Sequence, residues 1–191
     1  MMKEEHKKGY IFFRSILGPL YKLWYNPRIE GSDNIPMTGP IILCGNHVHL
    51  MDQCSVIVST KRMIHYLAKK EYFDSKFAWF FKMTGCIPVN RAIKDENAKS
   101  HAIELLEHGY AVGLFPEGTR NRTKEKLLPF KYGAVSMASK TKALIVPFGI
   151  SGKYKFRSKD LCIKIGKPIN VNNLTYEEAN KLLKEKIMEL I

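Results

Sequence analysis

A chain of 191 residues, 45% of them hydrophobic, can fill one well-buried core and is short for two. Its 31 Lys and Arg against 18 Asp and Glu give a net charge of +13, which attracts phosphate-rich partners of any kind. A nucleic-acid module is disfavoured, because the basic residues are spread along the chain instead of gathered on one helix or interleaved with aromatics. Cys44, Cys54, Cys86 and Cys162 lie too far apart for a structural zinc or a disulfide framework and read as small apolar residues of a reducing compartment.

The charged head MMKEEHKKG leads into YIFFRSILGPLYKLWY, residues 10–25. Arg14 breaks the apolar run and no small-residue cleavage site follows, so a cleaved signal is not expected. A bilayer crossing needs about 20 mostly apolar residues, and Arg14, Gly18, Pro19 and Lys22 interrupt this stretch. An aromatic-rich helix or helix pair remains, bent near Gly18 and Pro19. Its apolar side either lies at a lipid headgroup boundary, with Arg14, Lys22 and Arg28 meeting anionic lipid, or packs on the core.

Beyond residue 38, strand-like runs alternate with helical spacing. The runs are IILCG, IHYLA, CIPV, AVGLF, ALIVPF and LCIKIG. Ala98, Ala102, Leu105 and Leu106 share one helix face, with Asp95 as its cap and Gly109 at its close, and Thr175 with Glu178 forms a capping box before Ala179, Leu182, Leu183 and Leu190. This alternation predicts a single α/β domain over 36–191 with a largely parallel central sheet flanked by helices, preceded by an N-terminal amphipathic helical segment over 1–35.

Ligands of such sheets sit beyond the carboxyl ends of the strands, and the polar clusters fall there: NHVHLMD after IILCG, NR after CIPV and PEGTRNR after AVGLF. His47 and Asp52 cannot meet on a regular helix or strand. With His47 on the loop and Asp52 in the first turn of the following helix, the carboxylate reaches one imidazole nitrogen and leaves the other free to take a proton. Two alternatives stay open at this point: a solvated turn with a capping Asp, and a metal-dependent hydrolase site using His47, His49 and Asp52. Gln53 after Asp52 and the unsupported His6, His65, His101 and His108 disfavour the metal. No G-x-S-x-G elbow is present, and Cys44 inside an apolar strand is a poor nucleophile. In FPEGTRNR, Gly118 permits a tight turn and Arg120 offers a bidentate phosphate ligand, while Glu117 is expected to orient a cation or bond a substrate hydroxyl. With Arg91 from another strand end, the set describes a phosphomonoester pocket near a general base.

The ordered blocks NHVHLMD, GCIPVNR, FPEGTRNR and IVPFGI resemble those of the glycerolipid acyltransferase family, most closely its 1-acylglycerol-3-phosphate (lysophosphatidate) acyltransferase branch. The resemblance implies that His47 is the base and Asp52 its partner, and that Asn46, Arg91, Glu117, Gly118, Thr119 and Arg120 serve substrate binding, with Arg91, Glu117, Gly118 and Arg120 forming the acceptor phosphate site. Pro147 belongs to the fourth block. LAKKEY and PFKYGA match common family context and imply Lys69 and Lys131 as further phosphate-side cations. Asn90 stands where the second block often has an acidic residue. The implied reaction moves a fatty acyl group from an acyl thioester, on coenzyme A or an acidic acyl carrier protein, to the sn-2 hydroxyl of the lysophospholipid. It needs no metal or other cofactor, and it places the protein peripherally or monotopically on an anionic membrane surface, at the cytoplasmic face.

Overall fold

The computed structural model describes residues 4–191, with side chains from His6 onward, so the first residues of the charged head lie outside the described residues. The order of elements is α1 (Glu4–Tyr25), β1 (Arg28–Glu30), β2 (Ile41–Gly45), α2 (Asp52–Ile57), β3 (Ile64–Lys69), α3 (Ala78–Met83), β4 (Ile87–Val89), α4 (Glu96–Glu107), β5 (Ala111–Leu114), α5 (Gly133–Thr141), β6 (Leu144–Ser151), β7 (Cys162–Ile165) and α6 (Tyr176–Met188). The strands form one sheet in the order β1-β7-β6-β2-β5-β3-β4, parallel throughout except between β6 and β7.

Each of the six apolar runs contains an observed strand, because a parallel sheet covered on both faces demands continuous rather than alternating hydrophobicity. In β2 every residue is buried. Ile42 and Cys44 face α4, α5 and α6 through Ala102, Leu106, Val135 and Leu183, while Ile41 and Leu43 face the opposite layer with Val56, Tyr66 and Phe148. Asp95 caps α4 by accepting from the Ala98 N–H, and the Thr175–Glu178 capping box opens α6. The Asn90 N–H and then the Ala98 N–H pull the Asp95 carboxyl below its ordinary pKa, and the Thr175 N–H and hydroxyl do the same for Glu178.

β1 is an addition to the expected strands. It pairs parallel to β7, with Ile29 opposite Ile163, so the sheet begins before residue 36. Three residues with two charges carry no readable apolar pattern.

α1 is one helix with Pro19 inside it. Gly9 lets it approach α3 closely, since a Cβ there would stand 2.5 Å from the Met83 carbonyl oxygen. One side of the helix packs on the core and the rest is left exposed. Tyr10 and Tyr21 are buried, whereas Ile11, Phe12, Ile16, Leu17, Leu20, Leu23 and Trp24 are exposed. Two of the cations assigned to lipid are otherwise engaged: Arg14 donates to the Ile57 carbonyl and Arg28 pairs with Glu30, which leaves Lys22 exposed. Among the described residues no helix is long and apolar enough to cross a membrane.

Part of the positive charge is structural. Arg62 is buried and donates to the carbonyls of Pro36, Thr38, Gly39 and Gly109, tying together the loops that enter β2 and β5.

Candidate active site

β2 sits between β5 and β6, and the chain leaves it through α2 to β3 on one side, then returns from β5 through α5 to β6 on the other. This reversal opens a crevice at the carboxyl ends of β2 and β5. There the chain leaving β2 turns, and α2 starts at Asp52, as the spacing of His47 and Asp52 requires.

Asp52 is fully buried. Its Oδ2 accepts from His47 Nδ1 at 2.8 Å, from the Val48 N–H at 2.7 Å and from the His49 N–H at 2.8 Å, and its Oδ1 accepts from the Tyr154 hydroxyl at 2.8 Å. The two backbone N–H groups and the Tyr154 hydroxyl can only donate here, the inventory of a carboxylate that carries no proton of its own and accepts from its histidine partner as well. Nδ1 of His47 is therefore the protonated nitrogen, and Nε2 is left as an acceptor. The ring is held flat against Phe115, with centroids 4.0 Å apart.

Glu117 and Asn46, expected at the substrate, are bonded to the backbone around His47. The buried carboxylate of Glu117 accepts from the His47 N–H and the Leu128 N–H, both at 2.8 Å, so both oxygens are committed to the backbone. Asn46 closes a two-way bond with the Ile150 backbone, accepting from its N–H and donating to its carbonyl. Together with the Asn121 N–H on the His47 carbonyl, these bonds fix the backbone on which the imidazole stands. Both side chains are buried, and a buried polar group spends its bonding capacity on whatever backbone lies opposite.

His47 forms part of the wall of a cavity of about 510 Å³ between the sheet edge, α4 and α5. Arg91, Gly118 and Lys131 also line it, as do Lys99 and Lys94, the latter paired with Glu96 at 2.9 Å. Gly118 adopts φ +71°, and a Cβ would lie 2.9 Å from Cε of Lys131, so the glycine brings that lysine stem against the turn. Thr119 and Arg120 lie on the same loop but do not line the cavity. Lys69 is also outside it and pairs with Glu71 at 2.8 Å. Asn90 shapes the rim, accepting from the Ala92 N–H while its own N–H goes to Asp95.

His49 stacks on Tyr154 at 4.2 Å and its Nδ1 accepts from the Met51 N–H, so His47 and His49 turn to different partners. Among the described residues no group of three or more His, Cys, Asp or Glu is placed to hold a metal. Cys44 is fully buried in β2, and burial pushes its thiol far above the ordinary range.

The sequence model of the family described as Acyltransferase matches residues 26–151. The chain belongs to the acyltransferase family. Among acyltransferases, it is 32% identical over 167 residues to the 1-acyl-sn-glycerol-3-phosphate acyltransferase of Bacillus subtilis (strain 168), covering 84% of this chain and 82% of that protein. It is 32% identical over 147 residues to the enzyme of the same description from Borreliella burgdorferi, covering 75% of this chain and 58% of that one. The crystal structure of the 1-acyl-sn-glycerophosphate (LPA) acyltransferase PlsC from Thermotoga maritima superposes with a TM-score of 0.78 at 25% identity, covering 98% of this chain and 82% of that one. The acyltransferase fold of this chain, including the mostly parallel sheet, thus agrees with that solved relative.

Residues that the sequence reading passed over are Phe115 under the imidazole, Lys94 and Lys99 on the cavity wall, and Tyr154 with Ser55 and Tyr21 behind Asp52. Lys94 stands three residues after the NR block, which is signal enough, while Lys99 lies in the first turns of α4. The hydroxyls gave none, since they come from three separate elements.

Proposed function

We propose that this acyltransferase moves a fatty acyl group from an acyl thioester to the sn-2 hydroxyl of 1-acylglycerol-3-phosphate, yielding phosphatidic acid for phospholipid synthesis. The observation that carries the reading is the His47–Asp52 pair, 2.8 Å apart, opening on a cavity whose wall bears Arg91, Lys94, Lys99 and Lys131. Nε2 of His47 removes the hydroxyl proton as that oxygen attacks the thioester carbonyl. The tetrahedral adduct then collapses with cleavage of its C–S bond, and the departing thiolate takes the proton back from the imidazolium, leaving the ester, a free thiol and neutral His47. Asp52 holds the ring and stabilises the imidazolium, and such base catalysis contributes roughly 100- to 10,000-fold. Transfer is direct, within a ternary complex, because the cysteine nearest the base is buried in the sheet. Arg91 and Lys131 take the acceptor phosphate, with Arg120 and Lys69 as outer cations that meet it on approach. The thioester is carried on coenzyme A or an acidic acyl carrier protein, and no further cofactor takes part.

The acceptor is a lipid, and α1 gives the enzyme a way to reach it. Leu23 is 68% exposed, Trp24 56% and Phe12 57%, and Trp79, Phe77 and Phe156 add to the apolar surface. With exposed Lys7 and Lys22 alongside, this face suits the boundary of an anionic bilayer, placing the enzyme peripherally at the cytoplasmic face. Purified protein assayed with matched coenzyme A and acyl carrier protein donors against a panel of lysolipids tests the reading. Transfer selective for lysophosphatidate is expected, and no transfer with any pair would refute it.

A further inference from the structure

Asp52 has a second oxygen, and what holds it is neither His47 nor the surrounding turn. The Tyr154 hydroxyl, on the loop between β6 and β7, donates to Oδ1 at 2.8 Å. Behind it Ser55 Oγ lies 2.7 Å from the Tyr154 oxygen, and the Tyr21 hydroxyl lies 2.6 Å from Ser55 Oγ. The direction of the chain follows from proton counting. A carboxylate can only accept, so the single Tyr154 proton goes to Asp52. Ser55 then donates to Tyr154 at 2.7 Å in preference to the Met51 carbonyl, 3.5 Å from its Oγ, and Tyr21 donates to Ser55. Co-directional hydrogen bonds polarise one another, so each hydroxyl strengthens the next. Burial first, and the Asp52 charge second, raise the Tyr154 phenol far above its ordinary pKa, which keeps it a donor. Burial likewise pushes Tyr21 up to about 12.

The loop that carries Tyr154 is itself fastened to the end of α1. The Arg157 and Ser158 N–H groups donate to the carbonyls of Trp24 and Tyr25, Phe156 meets Trp24 edge-on at 4.9 Å, and the Tyr154 ring meets Tyr25 edge-on at 5.4 Å. We infer that Tyr154 is a positioning residue of the acyl-transfer reaction, fixing the Asp52 carboxylate for His47, and that α1 sets this position through Tyr21 and the loop it holds. The inference rests on the His47–Asp52 reading above. Its consequence is that the seat of the apolar helix reaches the catalytic carboxylate through three hydroxyls, apart from any part that α1 plays in lipid binding.

Tyr154→Phe removes the hydroxyl and keeps both ring contacts. Its kcat with a monomeric short-chain lysophosphatidate should fall about tenfold, the loss of one charge-assisted bond expressed in the rate. The KM of both substrates should stay near wild type. In an Asp52→Asn background the same substitution should cost little more, because Tyr154 acts only through that carboxylate. Tyr21→Phe, outside the cavity that His47 lines, should lower kcat about twofold and have no further effect on Tyr154→Phe. A Tyr154→Phe kcat equal to wild type, or a loss that multiplies in full on Asp52→Asn, would overturn the inference. If Tyr154→Phe does not fold, Tyr21→Phe decides: unchanged kcat overturns the coupling to α1. An inactive wild type removes the acyltransfer reading and this inference together, whereas an active wild type with an equally active Tyr154→Phe removes only the inference.

Discussion

Glu117→Gln separates a residue that touches substrate from one that holds the base in place. The glutamine keeps the shape but has one accepting oxygen, while Glu117 serves two N–H groups, of His47 and Leu128, at 2.8 Å each. The side-chain amide must therefore point its own donors at one of those N–H groups. Losing a bond to a charged acceptor costs about 1.5–3 kcal/mol, and the buried N–H left without a partner adds roughly 1 kcal/mol or more. A total near 3 kcal/mol corresponds to a fall in Tm of about 6–12 °C for a chain of this size. Where the amide faces the His47 N–H, kcat should drop about tenfold, with a smaller change in acceptor KM; where it faces Leu128, the loss of Tm should come with little change in either constant. Thermal unfolding and steady-state kinetics on the same preparation read both quantities. A Tm within about 2 °C of wild type, together with a selective rise in acceptor KM, would refute the positioning role and put the carboxylate on substrate.

His47→Ala should lose most of kcat with the fold intact, and Asp52→Asn should be nearly as damaging, whereas His49→Ala, which loses only a stack and a turn bond, should be milder; equal loss at both histidines, relieved by added metal, would favour the metal site. Arg91→Ala and Lys131→Ala, on the cavity wall, should raise acceptor KM about tenfold, and Arg120→Ala and Lys69→Ala less, as measured with lysophosphatidate at saturating donor. Leu20→Lys with Leu23→Asp should weaken binding to anionic vesicles in flotation without lowering Tm, since both side chains are exposed. Burial, more than any other influence, holds the His65 imidazole below its ordinary pKa, so its contribution to stability is complete above about pH 6.5 and is lost as the pH falls through the depressed value; Tm should decline over that acid range and decline less in His65→Gln.

The local features of this chain were legible in its sequence because short-range rules decide them. A strand buried on both faces has to be apolar throughout, which identified IILCG and AVGLF. A helix start needs an acceptor for its free N–H groups, which identified Asp95 and the Thr175–Glu178 box. The turn between His47 and Asp52 follows from their spacing, and the resemblance of four ordered blocks supplied the chemistry. Contacts across long separations were decided by tertiary structure alone. Glu117 meets the His47 N–H 70 residues away, Tyr154 meets Asp52 across 102, and Asn46 meets Ile150 across 104. Whether a polar side chain faces ligand or backbone depends on which strand end the sheet order sets beside it. In this fold β2 stands between β5 and β6, so Glu117 and Asn46 turn to the backbone, Lys131 packs against Gly118, and Tyr154 stands behind the carboxylate. The division between residues that bind and residues that hold is therefore a property of the sheet order, which no local pattern encodes.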